Sequence, residues 1–216
     1  MSTQGAGQGP SLPLEIIAAT LAPFRVNLSE SQLQAIQRYV DLLLEWNKSI
    51  NLTAIEDKVE IVSRHFGESL FAASFLDFAR CRLADVGTGA GFPGLALKIG
   101  CPDMDLTLFE SNSKKCAFLT EVAQRLGLAG VDIKRKRYED LKPDDSKFDF
   151  VSARALGDYP VFLPWSRSVL KPAGRVLLWL GTEESIRIGR RKEFIWDTPV
   201  PIPESRRRVI LVGKRT

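Results

Sequence analysis

Residues 85–94 read Asp85-Val86-Gly87-Thr88-Gly89-Ala90-Gly91-Phe92-Pro93-Gly94. Glycines at alternate positions let the backbone turn sharply and let a ligand approach the main chain closely. The residues before, Leu83-Ala84-Asp85-Val86, read as a short buried strand, and the residues after, from about Pro93 to Ile99, read as a helix. A strand, a glycine loop and a helix in that order open a sheet whose ligands bind in the crevice at the carboxyl ends of its strands.

Downstream the alternation continues. Strands are predicted at Leu106–Phe109, Val131–Ile133, Phe148–Ser152, Gly174–Leu180 and Arg208–Val212, with helices over Ser113–Leu126 and from Tyr159 to Leu170. This spacing implies an α/β fold with a mostly parallel, doubly wound sheet. Upstream the pattern is helical. Leu14, Ile17 and Leu21, then Leu33, Ile36, Val40, Leu43 and Leu44, recur at three- and four-residue steps. Ser29 or Ser31 is a candidate N-cap for a long helix ending near Trp46. Ile50-Asn51-Leu52-Thr53 is a break, followed by one helix from about Asp57 and another after His65. Phe71, Phe75 and Phe78 fall at helical spacing and are expected in the core. The expected organisation is a disordered tail at 1–10, an N-terminal helical extension at 11–80 and a ligand-binding sheet domain at 81–216.

The chain has 216 residues, 44 % hydrophobic and 26 % charged, the balance of a globular domain. No apolar run approaches the roughly 18 residues of a membrane span, so no membrane association is expected. The glycine- and glutamine-rich start lacks the basic and apolar regions of a signal peptide, which points to a cytoplasmic protein. Three scattered cysteines and the single histidine, His65, form no disulfide framework and no zinc site, so no metal is expected. The net charge is +4, and three basic runs stand out: Lys134-Arg135-Lys136-Arg137, Arg190-Arg191-Lys192 and Arg206-Arg207-Arg208. Each alone reads as solvated surface; together they favour an RNA or phosphate surface.

The loop itself also matches the dinucleotide pattern GxGxxG, a weak signal. Three features favour S-adenosylmethionine. Asp85, two residues before the first glycine, would repel a pyrophosphate and attract a cationic methionine end. Pro93 removes an N–H from the helix start, where a pyrophosphate would need donors. The loop also follows a long helical segment, an unusual beginning for a dehydrogenase. Glu110, ending the second strand, can accept hydrogen bonds from ribose hydroxyls, which suits either cofactor. Glu139 and Asp140 follow the third strand, where an adenine would lie, and Tyr138 could pack against it. A nicotinamide-dependent oxidoreductase would need a Tyr/Lys or His couple, which the sequence does not offer. A non-catalytic RNA-binding or assembly module on the same fold is the other alternative.

These residues resemble the ribosomal RNA small subunit methyltransferase G family, also called glucose-inhibited division protein B, from about Leu33 to the end. The matching segments are Trp46-Asn47-Lys48 with Asn51-Leu52-Thr53, Arg64-His65-Phe66 with Ser69-Leu70, the glycine loop extended by Phe92-Pro93-Gly94, and Phe148-Asp149 with Ser152-Ala153-Arg154-Ala155. The resemblance implies a class I, Rossmann-like methyltransferase fold with a seven-stranded sheet. It implies methylation of guanine N7 in bacterial small-subunit (16S) rRNA, with S-adenosylmethionine as donor and rRNA or the 30S particle as partner. It places Gly87 and Phe92 at the cofactor, Tyr138 and Glu139 at the adenine, and Arg154 facing cofactor and substrate. The candidate cofactor residues are therefore Asp85, Gly87, Gly89, Gly91, Phe92, Glu110, Tyr138, Glu139 and Arg154. The chain departs from the family pattern at Glu68, where an Asp is usual; at Trp179-Leu180-Gly181, where Lys-Gly is usual; and at Arg207-Arg208, where Arg-His is frequent.

Guanine N7 carries a lone pair and no proton, so its methylation needs no general base. Arg154 is the candidate catalytic residue, expected to hold a phosphate or a guanine acceptor. His65 reads as a hydrogen-bonded packing residue more readily than as a contact to ligand. Asn47 and Asn51 suit capping or closure of the site, and their spacing does not separate the two. Nothing in the sequence demands more than a monomer.

Overall fold

The computed structural model describes residues 10–141 and 147–215. The tail expected over 1–10 lies outside these residues except for Pro10.

The strands are β1 (Arg82–Val86), β2 (Asp105–Phe109), β3 (Val131–Lys134), β4 (Phe148–Arg154), β5 (Leu170–Gly181), β6 (Ile195–Trp196), β7 (Val200–Pro201) and β8 (Arg208–Lys214). They form one sheet in the order β3-β2-β1-β4-β5-β8-β6, and β7 also pairs with β8. The first five in sequence are mutually parallel, and β8 runs antiparallel to β5. The two-residue strands β6 and β7 share the last position of the expected seven; neither carries enough apolar periodicity to be read from sequence. The chain winds outward through β1, β2 and β3, then returns to lay β4 on the free side of β1. That reversal opens the crevice beside the glycine loop.

Successive strand residues point to opposite faces, and two hydrophobic clusters follow. Leu83, Leu106, Leu108, Phe150, Leu177 and Ile210 join the helical extension and helices α5 (Gly94–Gly100) and α6 (Ser113–Arg125). Ala84, Val86, Val151, Ala153, Val176 and Leu178 pack on α7 (Tyr159–Val169) and α8 (Thr182–Ile188).

The extension begins with α1 (Leu14–Leu21) and α2 (Glu30–Asn47). Ser29 caps α2 in a reciprocal box with Gln32. The two helices expected beyond residue 57 are one continuous run: α3 (Lys58–Ile61), a π-helical segment Val62–Gly67, α4 (Glu68–Leu70) and a 3-10 turn Phe71–Ser74. The wider π turn absorbs the residues that would otherwise break the run. Phe71 and Phe78 are buried as expected, but Phe75 is exposed, because the 3-10 turn ends just before it and rotates it outward.

Candidate functional site

The glycine loop leaves β1 with Gly87, Gly89 and Gly91 all at positive φ (65°, 58° and 89°). Its amides are spent internally. Gly87 donates to Phe109 O at 2.9 Å, Gly91 and Phe92 donate to Thr88 O at 2.8 and 3.1 Å, and Gly89 donates to Glu110 Oε2 at 3.1 Å. Asp85 Oδ2 accepts from the Gly94 amide at 3.0 Å, at the very start of α5. The donors a pyrophosphate would need are therefore occupied, and Pro93 has none.

Asp85 is wholly buried. Its other oxygen accepts from the Ser152 hydroxyl at 2.7 Å, across the β1–β4 pairing that sets the two residues side by side. Burial pushes its carboxyl up to about 6 against the opposing pull of these hydrogen bonds. Both carboxylate oxygens are thus engaged within the protein, on the Gly94 amide and the Ser152 hydroxyl. Asp85 points inward because its register directs it under the loop, where it ties the loop to α5 and β4.

Glu110 immediately follows β2 and is 8 % exposed. Its two oxygens accept from the amides of Gly89 and Asn112, at 3.1 and 2.8 Å. It stands on the rim of a cavity of about 220 Å³ lined by Gly87, Phe109, Glu110, Tyr138, Glu139 and Leu156, with Ser111, Lys136 and Arg137 at its edge. Over Gly87 an added Cβ would meet only Leu156, at 3.5 Å, and over Gly89 almost nothing, so the backbone here faces open space. The tyrosine ring of Tyr138 is held edge-on by Trp165, centroids 4.8 Å apart, and by Phe162. Apolar surface from Phe109, Tyr138 and Leu156, a carboxylate acceptor for vicinal hydroxyls and an exposed glycine backbone fit an adenosine group. The residues present thus suit S-adenosylmethionine.

Gly91 and Phe92 lie elsewhere. A Cβ on Gly91 would come 2.2 Å from the Tyr39 hydroxyl, which donates to Ala90 O at 2.6 Å. Phe92 stacks on Tyr39 and His65, at 5.4 and 4.8 Å between centroids. This half of the loop is covered by α2 and the π segment, and neither residue lines the cavity beside Gly87. His65 Nε2 lies 2.8 Å from the Thr53 hydroxyl. Burial, with Arg154 and Arg64 nearby, lowers its pKa to about 3, so the ring is neutral at physiological pH. Asn47 accepts from the amides of Leu52 and Thr53 and donates to Thr53 O, closing the turn after α2 in the capping sense.

Arg154, the last residue of β4, does not line the cavity. Its Nη1 donates to Arg64 O at 3.0 Å, and its Nη2 lies 3.4 Å from Glu68 Oε2. Burial lowers its pKa while Glu68 opposes that shift. Leu156 in the cavity, Ser152 on Asp85, Tyr39 on Ala90 O and Glu68 beside Arg154 carry no such role in the sequence reading. Each belongs to a strand, helix or loop whose pattern gives no hint of what it faces.

The basic runs divide. Lys134 pairs with Asp132 and Arg191 with Glu193. Lys136 and Arg137 stand at the cavity, while the exposed Arg206 and Arg207 line an open cleft of about 740 Å³ with Thr182, Glu183, Glu184 and Arg187. Cations therefore flank the carboxyl edge of the sheet on both sides. No helix of the described residues is long and apolar enough to cross a membrane. Nor do three His, Cys, Asp or Glu side chains gather among them as a metal would require.

Residues 32–196 match the family described as rRNA small subunit methyltransferase G (GidB). A ribosomal RNA small subunit methyltransferase G of Halorhodospira halophila is 37 % identical over 170 residues, 79 % of each chain. One from Acetivibrio thermocellus is 36 % identical over 203 residues, 88 % of this chain and 84 % of that one. Among solved structures, a SAM dependent methyltransferase from Aquifex aeolicus superposes with a TM-score of 0.61 at 16 % identity, covering 74 % of this chain and 94 % of that one, which shows the shared fold.

Proposed function

The chain belongs to the rRNA small subunit methyltransferase G family, and on that premise we propose that it methylates N7 of a guanine in small-subunit rRNA, with S-adenosylmethionine as donor. The observation that carries this reading is the cavity beside Gly87 and Glu110: its neighbouring amides are spent, Phe109, Tyr138 and Leu156 give it apolar surface, and the Glu110 carboxylate lines it. When bound, S-adenosylmethionine supplies a sulfonium-activated methyl group.

Glu110 would hold the ribose hydroxyls, releasing the Gly89 amide or sharing its oxygens with it. Tyr138, Leu156 and Phe109 would enclose the adenine, with Glu139 at its edge. Gly87 and Gly89 keep the backbone clear of the ligand, and Asp85 fixes the loop from below. No residue is assigned as a base, because N7 has no proton to lose. The contribution of the protein is placement, for which about 7–11 kcal/mol of the barrier is attainable. Arg154 would hold a guanine acceptor or a phosphate. Lys136 and Arg137 on one flank and Arg206 and Arg207 on the other would meet the RNA backbone. The protein would act on rRNA or the 30S particle as a monomer in the cytoplasm.

Nucleoside mass spectrometry of small-subunit rRNA tests this reading. A strain lacking the gene should lack one 7-methylguanosine. The wild-type gene should restore it, and Arg154→Ala should restore less than a tenth of it. Unchanged 7-methylguanosine in the deletion strain would overturn the assignment. In equilibrium dialysis the purified protein should take up labelled S-adenosylmethionine and not NADH; the reverse would favour an oxidoreductase.

A further inference from the structure

Glu68 is a carboxylate with a side chain only 3 % exposed, set between two guanidinium groups from different strands. Its Oε1 accepts from Arg208 Nε at 2.9 Å and lies 2.6 Å from Arg208 Nη2, a forked grip from the first residue of β8. Its Oε2 faces Arg154 Nη2 at 3.4 Å without forming a hydrogen bond, and it has no other partner. The backbone carbonyl of Glu68 is held as well, by Trp179 Nε1 at 2.7 Å. Trp179 is the register partner of Arg154, so β4, β5 and β8 all converge on this one residue of α4.

The two grips are unequal, and the inequality carries the argument. A buried carboxylate is costly unless paired. Arg208 meets that need through two contacts on one oxygen, which locks the side chain. The second oxygen is left buried, charged and short of one hydrogen bond, directed at Arg154. Buried polar atoms without partners are uncommon and call for a reason. Among the described residues Arg154 makes one hydrogen bond, to Arg64 O on the π segment, and π segments often occur at functional sites. Two guanidinium groups and one carboxylate leave a net positive charge. Without the carboxylate the two cations would repel, and Arg154 would swing toward solvent.

We propose that Glu68 is a positioning residue for Arg154 and that Arg208 holds Glu68 in place, so that the helical extension and β8 together set the aim of the guanidinium at the end of β4. The inference rests on the methyltransferase reading above. Glu68 and Arg208 act through Arg154 and need not touch the substrate.

The test is a double-mutant cycle. Transfer of labelled methyl groups to 30S particles from the deletion strain is measured for Glu68→Gln, Arg208→Gln, Arg154→Ala and the two doubles with Arg154→Ala. Glu68→Gln should lower kcat at least tenfold, leave KM for S-adenosylmethionine within twofold, and have no further effect in the Arg154→Ala background. Arg208→Gln should give a smaller loss that also vanishes there. Its side chain is 36 % exposed, so it keeps the test open if Glu68→Gln does not fold. Losses that multiply with that of Arg154→Ala would mean a merely structural role and overturn the proposal, as would unchanged kcat in both single variants. Full activity in Arg154→Ala would instead remove the role of Arg154, and the proposal with it.

Discussion

At Gly91 the fold has room for a hydrogen atom and nothing larger. Its φ of 89° is one that L side chains rarely adopt, and a Cβ there would sit 2.2 Å from the Tyr39 hydroxyl and 2.7 Å from Leu95. Gly89, two residues away, has φ 58° and open space. The two glycines look equivalent in sequence and are constrained by different things. Gly91→Ala should destabilise by roughly 3 kcal/mol, strain and clash together, lowering Tm by about 6–12 °C in calorimetry. Gly89→Ala should cost only about 1 kcal/mol of backbone strain, yet on the proposed reading weaken S-adenosylmethionine binding in dialysis, since the Gly89 amide holds Glu110 at the cavity. Equal Tm losses for the two would show that their surroundings are not different. The carboxylates follow the same logic: Asp85 and Glu110 are both strand-end acids, but only Glu110 reaches the cavity rim, because register turns Asp85 beneath the loop.

Among the elements, α2 was read well from its own sequence, because an N-cap and a 3.6-residue apolar rhythm are local signals. Its contact with α5 was not readable. Gln32, besides completing the capping box with Ser29, donates through Nε2 to Ile99 O and Gly100 O, at 2.8 and 3.1 Å. These bonds stitch the extension to the end of α5. Ser29→Ala removes a cap and should cost about 1 kcal/mol. Gln32→Ala removes half the box and both stitches and should cost about 2 kcal/mol. Urea denaturation measures both, and a smaller loss for Gln32→Ala would contradict the stitching. The run from Lys58 to Ser74 shows the opposite limit. Its apolar rhythm suggested two helices, but packing against Phe24, Tyr39 and Phe92 kept it unbroken through the π turn.

For the whole molecule, the boundary placed near residue 80 divides the chain by pattern and does not divide its core. Ile17, Phe24, Ile36, Tyr39 and Phe66 belong to the same buried cluster as Phe92, Leu95, Leu97, Phe118 and Leu108. A fragment spanning residues 81–215 would expose that face of α5 and α6. We expect it to lack cooperative thermal unfolding and to associate, as sizing chromatography and calorimetry would show; a monomeric fragment that melts cooperatively would make the extension dispensable for folding. Glu68, Trp179 and Arg208, far apart in the chain, meet in three dimensions around Arg154.

What could be read directly was local: the strand–glycine loop–helix unit, the alternation that makes a parallel sheet, the caps, and the acid at the tip of the second strand. Such features need only neighbours within a turn or a strand, so the chain states them in residues a few places apart. Tertiary structure alone decided which glycine faces open space, which acid turns inward and what grips Arg154. Its contacts with Arg64 and Glu68, and that of Glu68 with Arg208, span 90 residues or close to it and 140 residues of chain. No periodicity reaches that far; only the packing of the helical extension onto the sheet brings those side chains together.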